Sequence, residues 1–301
     1  MITAHRTVRE PVFIKDEIDE RVLIERVDVA DRAAVLELGD RHRISGIVHL
    51  ADPSLTHLFD PDLPASTLIN DQRRGVGALL GVLEAASEWG AERVTVISTI
   101  GVYSGLEDMG GLREDAPLRL VPGGNPVAAS KMTAELLSGF LAERIGVELV
   151  TARLPAVWGP LGRRSSRFFA APALIHAAVR AAPRKSNARE AIYADDAIDM
   201  LYVKDCGRAI ALLQTAGKLR HVTYNVGSGV ATSNRELADA IKSRAPQVRT
   251  DLRGGRSPAG VGHDICLDTS RLRADTAFEP RYSTEAGAAE YIAWLRAGND
   301  R

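Results

Sequence analysis

Short apolar runs rich in β-branched residues alternate with longer helix-patterned segments through the first half of this chain. That alternation restricts the fold to the α/β class, with a parallel sheet covered by helices. Residues 21–29 read as a strand, after which Asp31 supplies the N-cap of a helix running to about Asp40. Residues 46–51 (GIVHLA) form the brief apolar run expected of a strand buried on both faces. A helix follows at 76–89, stopped by Gly90, and then a strand at 94–97. Over 131–144, Leu136 recurs with Phe140 and Leu137 with Leu141 at i,i+4, which predicts an amphipathic helix. Gly146 ends it, and 147–154 is the next strand. Beyond Pro160 the pattern loosens into basic loops, a helix at 234–243 and a turn-rich stretch at 254–262. There is no internal repeat and no low-complexity segment.

At 301 residues the chain is long enough for one large domain or two intimate ones. Its 38 basic residues balance 39 acidic ones for a net charge of −1, so bulk charge gives no support to nucleic-acid or membrane-surface binding. No apolar run approaches the roughly 18 residues that span a bilayer, and the first residues (MITAHRT) lack the apolar core of a signal peptide. Cys206 and Cys266 stand in no metal or redox spacing and read as buried thiols of a reducing compartment, so a cytoplasmic location is expected. The seven histidines (5, 42, 49, 57, 176, 221 and 263) form no HExxH pattern and no metal site is expected; His49, inside an apolar strand, reads as a hydrogen-bonded core residue. Gly227-Ser228-Gly229 lacks the spacing of a nucleophile elbow.

Ligands of open parallel sheets bind beyond the carboxyl ends of the strands. Ala51-Asp52, Ser98-Thr99 and 155–157 each lie just past an expected strand. A series of short motifs occurs around these points. Val27-Asp28-Val29 ends a strand with an acidic residue; His49-Leu50-Ala51 matches HLAA, and Leu83-Glu84-Ala85-Ala86 matches LEAA. Residues 98–103 match SSxxVYG with Thr99 at the hydroxyl position, and Ser130-Lys131 with Glu135 matches SKxxxE. Residues 153–160 (RLPAVWGP) resemble RLxxVYGP, 202–205 (YVKD) resemble YVDD and 224–229 match YNVGSG. Each motif alone is weak, but eight in one order resemble the extended short-chain dehydrogenase/reductase family, the NAD-dependent epimerase/dehydratase group.

The resemblance implies a doubly wound, Rossmann-like sheet with a smaller C-terminal substrate region. The dinucleotide-binding domain would comprise 1–158 with 199–226 returning to it, and 159–198 with 227–301 would form the substrate region. It implies that NAD or NADP lies along Asp28, Val29, Leu50, Ala51, Ser98, Lys131 and Pro155, with Thr99, Lys131 and Tyr103 as catalytic candidates. The implied activity is that of an NAD(P)-dependent epimerase, dehydratase or reductase on a small polar or sugar-like substrate, with a possible homodimer through the helices near Val76 and Lys131. The alternatives are a redox-inactive ligand binder on the same fold and a non-redox lyase or isomerase that uses Lys131.

Departures from the family pattern bear on chemistry. No GxxGxxG or GxGxxG follows any expected strand, although such a loop lets backbone approach a pyrophosphate at a helix N-terminus. Residues 11–16 (PVFIKD) resemble the family's second strand, ending on Asp16; the first strand and its loop would then lie upstream of Met1. Four residues before Lys131, where the family carries its proton-transferring tyrosine, stands Val127. Gly75 stands where asparagine is common, and Ile198 where an arginine binds a nucleotide-sugar diphosphate.

Bland readings stand beside the functional ones. Thr99 suits a strand end as a β-branched residue, and Tyr103 suits packing under a loop. Lys131, opening its helix against the dipole, could be a solvated lysine. Asp16 and Asp28 could be turn formers, and Arg163, Arg164, Arg167, Arg253 and Arg256 either bind an anion or are solvated.

Overall fold

The computed structural model describes residues 1–5, 12–55, 62–106, 111–119, 126–164, 166, 168–180, 191–248, 250–258 and 264–299. Pro11, His57, Arg167, His263 and residues 259–262, all singled out above, lie outside them. The chain divides into two compact units, one of residues 1–98 and 123–151 and the other of 99–122 and 152–301.

The first unit carries β1 (Ile2–His5), β2 (Leu23–Arg26), α1 (Arg32–Arg41), β3 (Gly46–His49), α2 (Ala65–Glu88), β4 (Arg93–Thr99), α3 (Pro126–Ile145) and the start of β5 (Glu148–Leu154). Asp31 caps α1 as its type predicts, its side chain accepting from the Ala34 amide at 3.2 Å. Gly90 and Gly146 take left-handed φ values of 63° and 71° just after α2 and α3, where a side chain would be strained. β3 and β4 pair in parallel with Val48 opposite Thr95, and β5 lies on the far side of β4. Leu79, Val82 and Leu83 of α2 pack with Val94 and Val96 of β4 and Leu149 of β5. Each such side chain contributes about 1.5–3 kcal/mol on full burial. Val27, Val35 and Leu38 close on Ala85, which seats α1 on α2.

Several expectations change here. Residues 12–17 form a 3-10 helix instead of a strand, because their backbone bonds close locally: Ile18 N donates to Lys15 O, and Arg21 N and Val22 N both donate to Glu17 O. A strand does stand at the start of the chain, since β1 pairs in parallel with β2, Ile2 opposite Leu23. β3 is half-exposed along its length and not buried on both faces, for it has one strand neighbour, β4, among the described residues. The helix expected at 76–89 starts at Ala65, and α3 starts at Pro126, a residue suited to a first helical turn. Lys131 therefore sits in the second turn of α3 and does not open it. Of its two apolar pairs, Leu137 and Leu141 pack on the core, whereas Leu136 and Phe140 are 75% and 57% exposed.

In the second unit follow β6 (Ala156–Trp158), α4 (Ala171–Arg180), β7 (Ile192–Tyr193), β8 (Ala197–Tyr202), α5 (Val203–Thr215), β9 (Thr223–Asn225), β10 (Ala231–Ser233), α6 (Asn234–Arg244), β11 (Leu252–Arg253), α7 (Ser270–Thr276) and α8 (Thr284–Arg296). β8 is the middle strand of three, parallel to β6 and antiparallel to β10, and β9 neighbours β5. Trp158, Ile175, Tyr202, Leu237, Ile241, Tyr291 and Ile292 make the core of this unit. Ser233 and Glu236 form a capping box on α6. The α/β class with parallel strand pairing thus holds.

Candidate functional site

A pocket in the first unit opens where β3 and β4 end. Its wall includes His49, Ala51, Asp52, Ser54, Gln72, Gly75, Ser130 and Lys131. Asp52 follows β3 and starts a 3-10 turn, Pro53–Leu55, that its own side chain organises: Oδ1 accepts the Ser54 amide at 3.1 Å and also the Ser54 hydroxyl. The Lys131 ammonium meets Asp52 Oδ2 at 2.8 Å, with the two side chains only 11% and 13% exposed. Ser130 Oγ lies 2.6 Å from Ser54 Oγ and 3.5 Å from Asp52 Oδ2, so its single proton serves one of the two. The pocket is narrow and partly open to solvent, with about 30 Å3 of space, enough to admit one or two hydroxyl-sized groups.

Burial alone would raise the Asp52 carboxyl, but the charge and hydrogen bond of Lys131, together with the bonds from Ser54, hold it below its ordinary value. Burial pushes His49 down to about 4, Lys131 adding to the effect and Asp52 opposing it, so the imidazole is neutral at neutral pH. Asp52 and Lys131 are then the only charged side chains lining the pocket among the described residues, and they cancel.

The departure at position 75 has a packing reason. A β-carbon on Gly75 would come within 2.6 Å of Ser54 Cβ, so glycine lets the Asp52–Ser54 turn settle on α2. Ile198, in β8, packs its side chain against the core of the second unit.

The sequence-derived candidates separate. Ala51 and Lys131 line the pocket, while Leu50 is exposed. Ser98, buried at the end of β4, donates its hydroxyl to Glu135 of α3. Asp28 accepts from Arg74 of α2 at 2.7 Å and from the Ala30 amide at 3.0 Å, with Val29 in the same turn. Asp16 is exposed.

Thr99, Tyr103 and Pro155 belong to the second unit. Thr99 caps a 3-10 turn, Ile100–Tyr103, by accepting from the Gly101 amide at 3.2 Å. Tyr103 is buried; its hydroxyl donates to Asn225 Oδ1 at 2.7 Å and accepts from Arg153 at 2.8 Å. Burial raises its pKa despite Arg153 and Asn225. Pro155 is buried between β5 and β6. Cys206 is buried, and Cys266, between the bridge residues Ile265 and Leu267, is half-buried. Arg163 and Arg164 are exposed, and Arg256 pairs with Asp264.

Sequence reasoning pointed at Ala51-Asp52 through the strand-end rule but named neither Asp52 nor Ser54 as functional. The available signal was the D-x-S spacing of a side-chain-capped turn directly after a strand. Asp52 also stands at the fourth position of the HLAA match, where that segment carries alanine.

With this geometry, the model of the NAD dependent epimerase/dehydratase family matches residues 2–227. The chain belongs to that family. Among its relatives, the dTDP-glucose 4,6-dehydratase of Streptomyces niveus is 28% identical over 275 residues, covering 90% of this chain and 75% of the relative. The UDP-glucose 4-epimerase of Thermotoga maritima, solved with UDP-glucose, superposes with a TM-score of 0.78 at 18% identity over 99% of this chain and 91% of that one. The UDP-glucose 4-epimerase of Thermus thermophilus, solved with NAD, gives 0.73 at 22% identity over 95% and 88%. These structures share the fold of this family member. Among the described residues, no helix is long and apolar enough to cross a membrane, and no group of three or more His, Cys, Asp or Glu could hold a metal ion.

The donor set around Lys131 suits part of the family's dinucleotide. An ammonium, a carboxylate and two hydroxyls match the hydroxyls of a ribose. Gly39, within α1, is the first glycine of the sequence, so no glycine lies between β1 and β2 or between β2 and α1.

Proposed function

We propose that this chain is an NAD(P)-binding enzyme of the sugar-nucleotide epimerase and dehydratase kind, acting on a small polar or sugar-like substrate. The observation that carries this reading is Lys131: it heads the SKxxxE match, projects from α3 into the pocket past β3 and β4, and has Asp52 to hold it. A nicotinamide dinucleotide, when bound, supplies hydride transfer. Lys131 would hold the ribose hydroxyls, with Ser130 and Ser54 as hydroxyls able to donate or accept. Asp52, below its ordinary range, and His49, near 4, are weak bases at neutral pH. Lys131 is the remaining ionisable side chain of this lining, and Val127 contributes no proton.

A second reading is supported by the same pair. With Val127 in place of a phenol and Lys131 held by Asp52, the chain would bind a ligand without redox chemistry. Calorimetry with NAD+ and NADP+ separates the two, followed by incubation with dTDP-glucose or UDP-glucose and chromatography for epimerised or dehydrated product. Binding with turnover, both lost in Lys131→Ala, is the expected result. Binding without turnover moves the assignment to the second reading. Turnover that survives Lys131→Ala removes Lys131 from the centre.

A further inference from the structure

We infer that Asp52 is a positioning and specificity residue that makes the pocket select uncharged vicinal hydroxyls over anions. The inference deepens the reading of Lys131 as a ribose-holding residue. Three observations carry it. Asp52 is fixed, because Oδ1 is filled by the Ser54 amide and hydroxyl and Oδ2 faces Lys131 at 2.8 Å. Ser54 is fixed in turn: it is buried, its carbonyl accepts from Gln72 Nε2 at 3.4 Å, and Gly75 leaves no gap behind it. The lining is neutral overall, since His49 is uncharged and the two ions cancel.

A lone lysine in a secluded pocket is an anion site. With a carboxylate set against it, an incoming phosphate meets repulsion from Asp52 at the distance at which Lys131 attracts it. A hydroxyl meets neither penalty, because one ammonium N–H engages Asp52 and the remaining donors reach a neutral oxygen. The turn at Asp52 therefore converts a lysine that would attract phosphate into one that recognises a diol.

The test uses the full chain, with adenosine, 2′-deoxyadenosine and inorganic phosphate as probes, read by ligand-observed NMR for wild type and Asp52→Asn. The wild type should bind adenosine more tightly than 2′-deoxyadenosine and show no phosphate binding. Asp52→Asn should gain phosphate affinity by about tenfold or more and lose the preference for the diol. Ser54→Ala, which frees Asp52 without removing its charge, should weaken adenosine without gaining phosphate. Equal binding of the two nucleosides by the wild type, or an Asp52→Asn variant whose selectivity is unchanged while its circular dichroism stays native, overturns the inference. A chain that selects the diol yet binds neither NAD+ nor NADP+ would overturn the proposed function and leave this inference standing. The converse pattern would do the reverse.

Discussion

Gly75 and Ser54 touch so closely that a β-carbon on the glycine would lie 2.6 Å from Ser54 Cβ. Helix interiors ordinarily prefer alanine to glycine by about 1 kcal/mol. Here the sign reverses. Gly75→Ala should destabilise the chain by about 1–3 kcal/mol, the usual cost of overpacking, as measured by urea unfolding. A stabilised variant would show that the Asp52–Ser54 turn is free to move.

The buried histidine sets a pH dependence. The folded pKa of His49 is lowered to about 4 from 6.5, so the unfolded chain binds more protons between those values. Stability should be full above about 6.5 and fall as pH drops toward 4, by about 2–3 kcal/mol. Asp52, also lowered, adds a loss only at more acidic pH, as the medium passes below its ordinary value toward its folded one. Denaturant melts of wild type and His49→Gln across this range check it. Parallel curves for the two proteins would remove His49 as the cause.

Tyr103 distinguishes scaffold from catalyst. Tyr103→Phe removes the hydroxyl that donates to Asn225 and accepts from Arg153, both buried. A loss of about 1–3 kcal/mol is expected, with nucleotide binding and any turnover unchanged. Lost turnover in a variant of native stability would restore Tyr103 as the acid.

Leu136 and Phe140 of α3, with Leu80 on the packed helix α2, are exposed apolar side chains. The homodimer implied by the family resemblance would bury them. Leu136→Glu with Phe140→Glu should shift the chain from dimer to monomer in sedimentation velocity. A wild type that sediments as a monomer sinks the assignment.

Val127 and Lys131 are four residues apart on α3 and so share one helix face. Val127→Tyr should raise hydride transfer from a nucleotide sugar to NAD+ by about a hundredfold where the enzyme reading holds. No gain, with native binding of NAD+, would favour the redox-inactive reading.

The order of elements was legible in the sequence because it depends on local chemistry: the cap at Asp31, the stops at Gly90 and Gly146, and the apolar runs of β4 and β5 read directly as structure. The family was legible too, through motifs whose order survives loss of individual residues. Lys131 could be singled out by its neighbours in sequence. Its partner could not, since Asp52 and Lys131 lie 79 positions apart and meet only because the end of β3 and the first turns of α3 lie at the same edge of one unit. The same holds for Gly75, whose reason is Ser54, packed against it from 21 positions away. The strand expected at 11–16 failed for a related reason: a strand exists only where a neighbour offers a ladder, and local turn bonds won at 12–17. Propensity, capping and motif order belong to the chain alone. Charge pairing, close packing and the neutral lining of the pocket depend on distances that only the folded backbone sets.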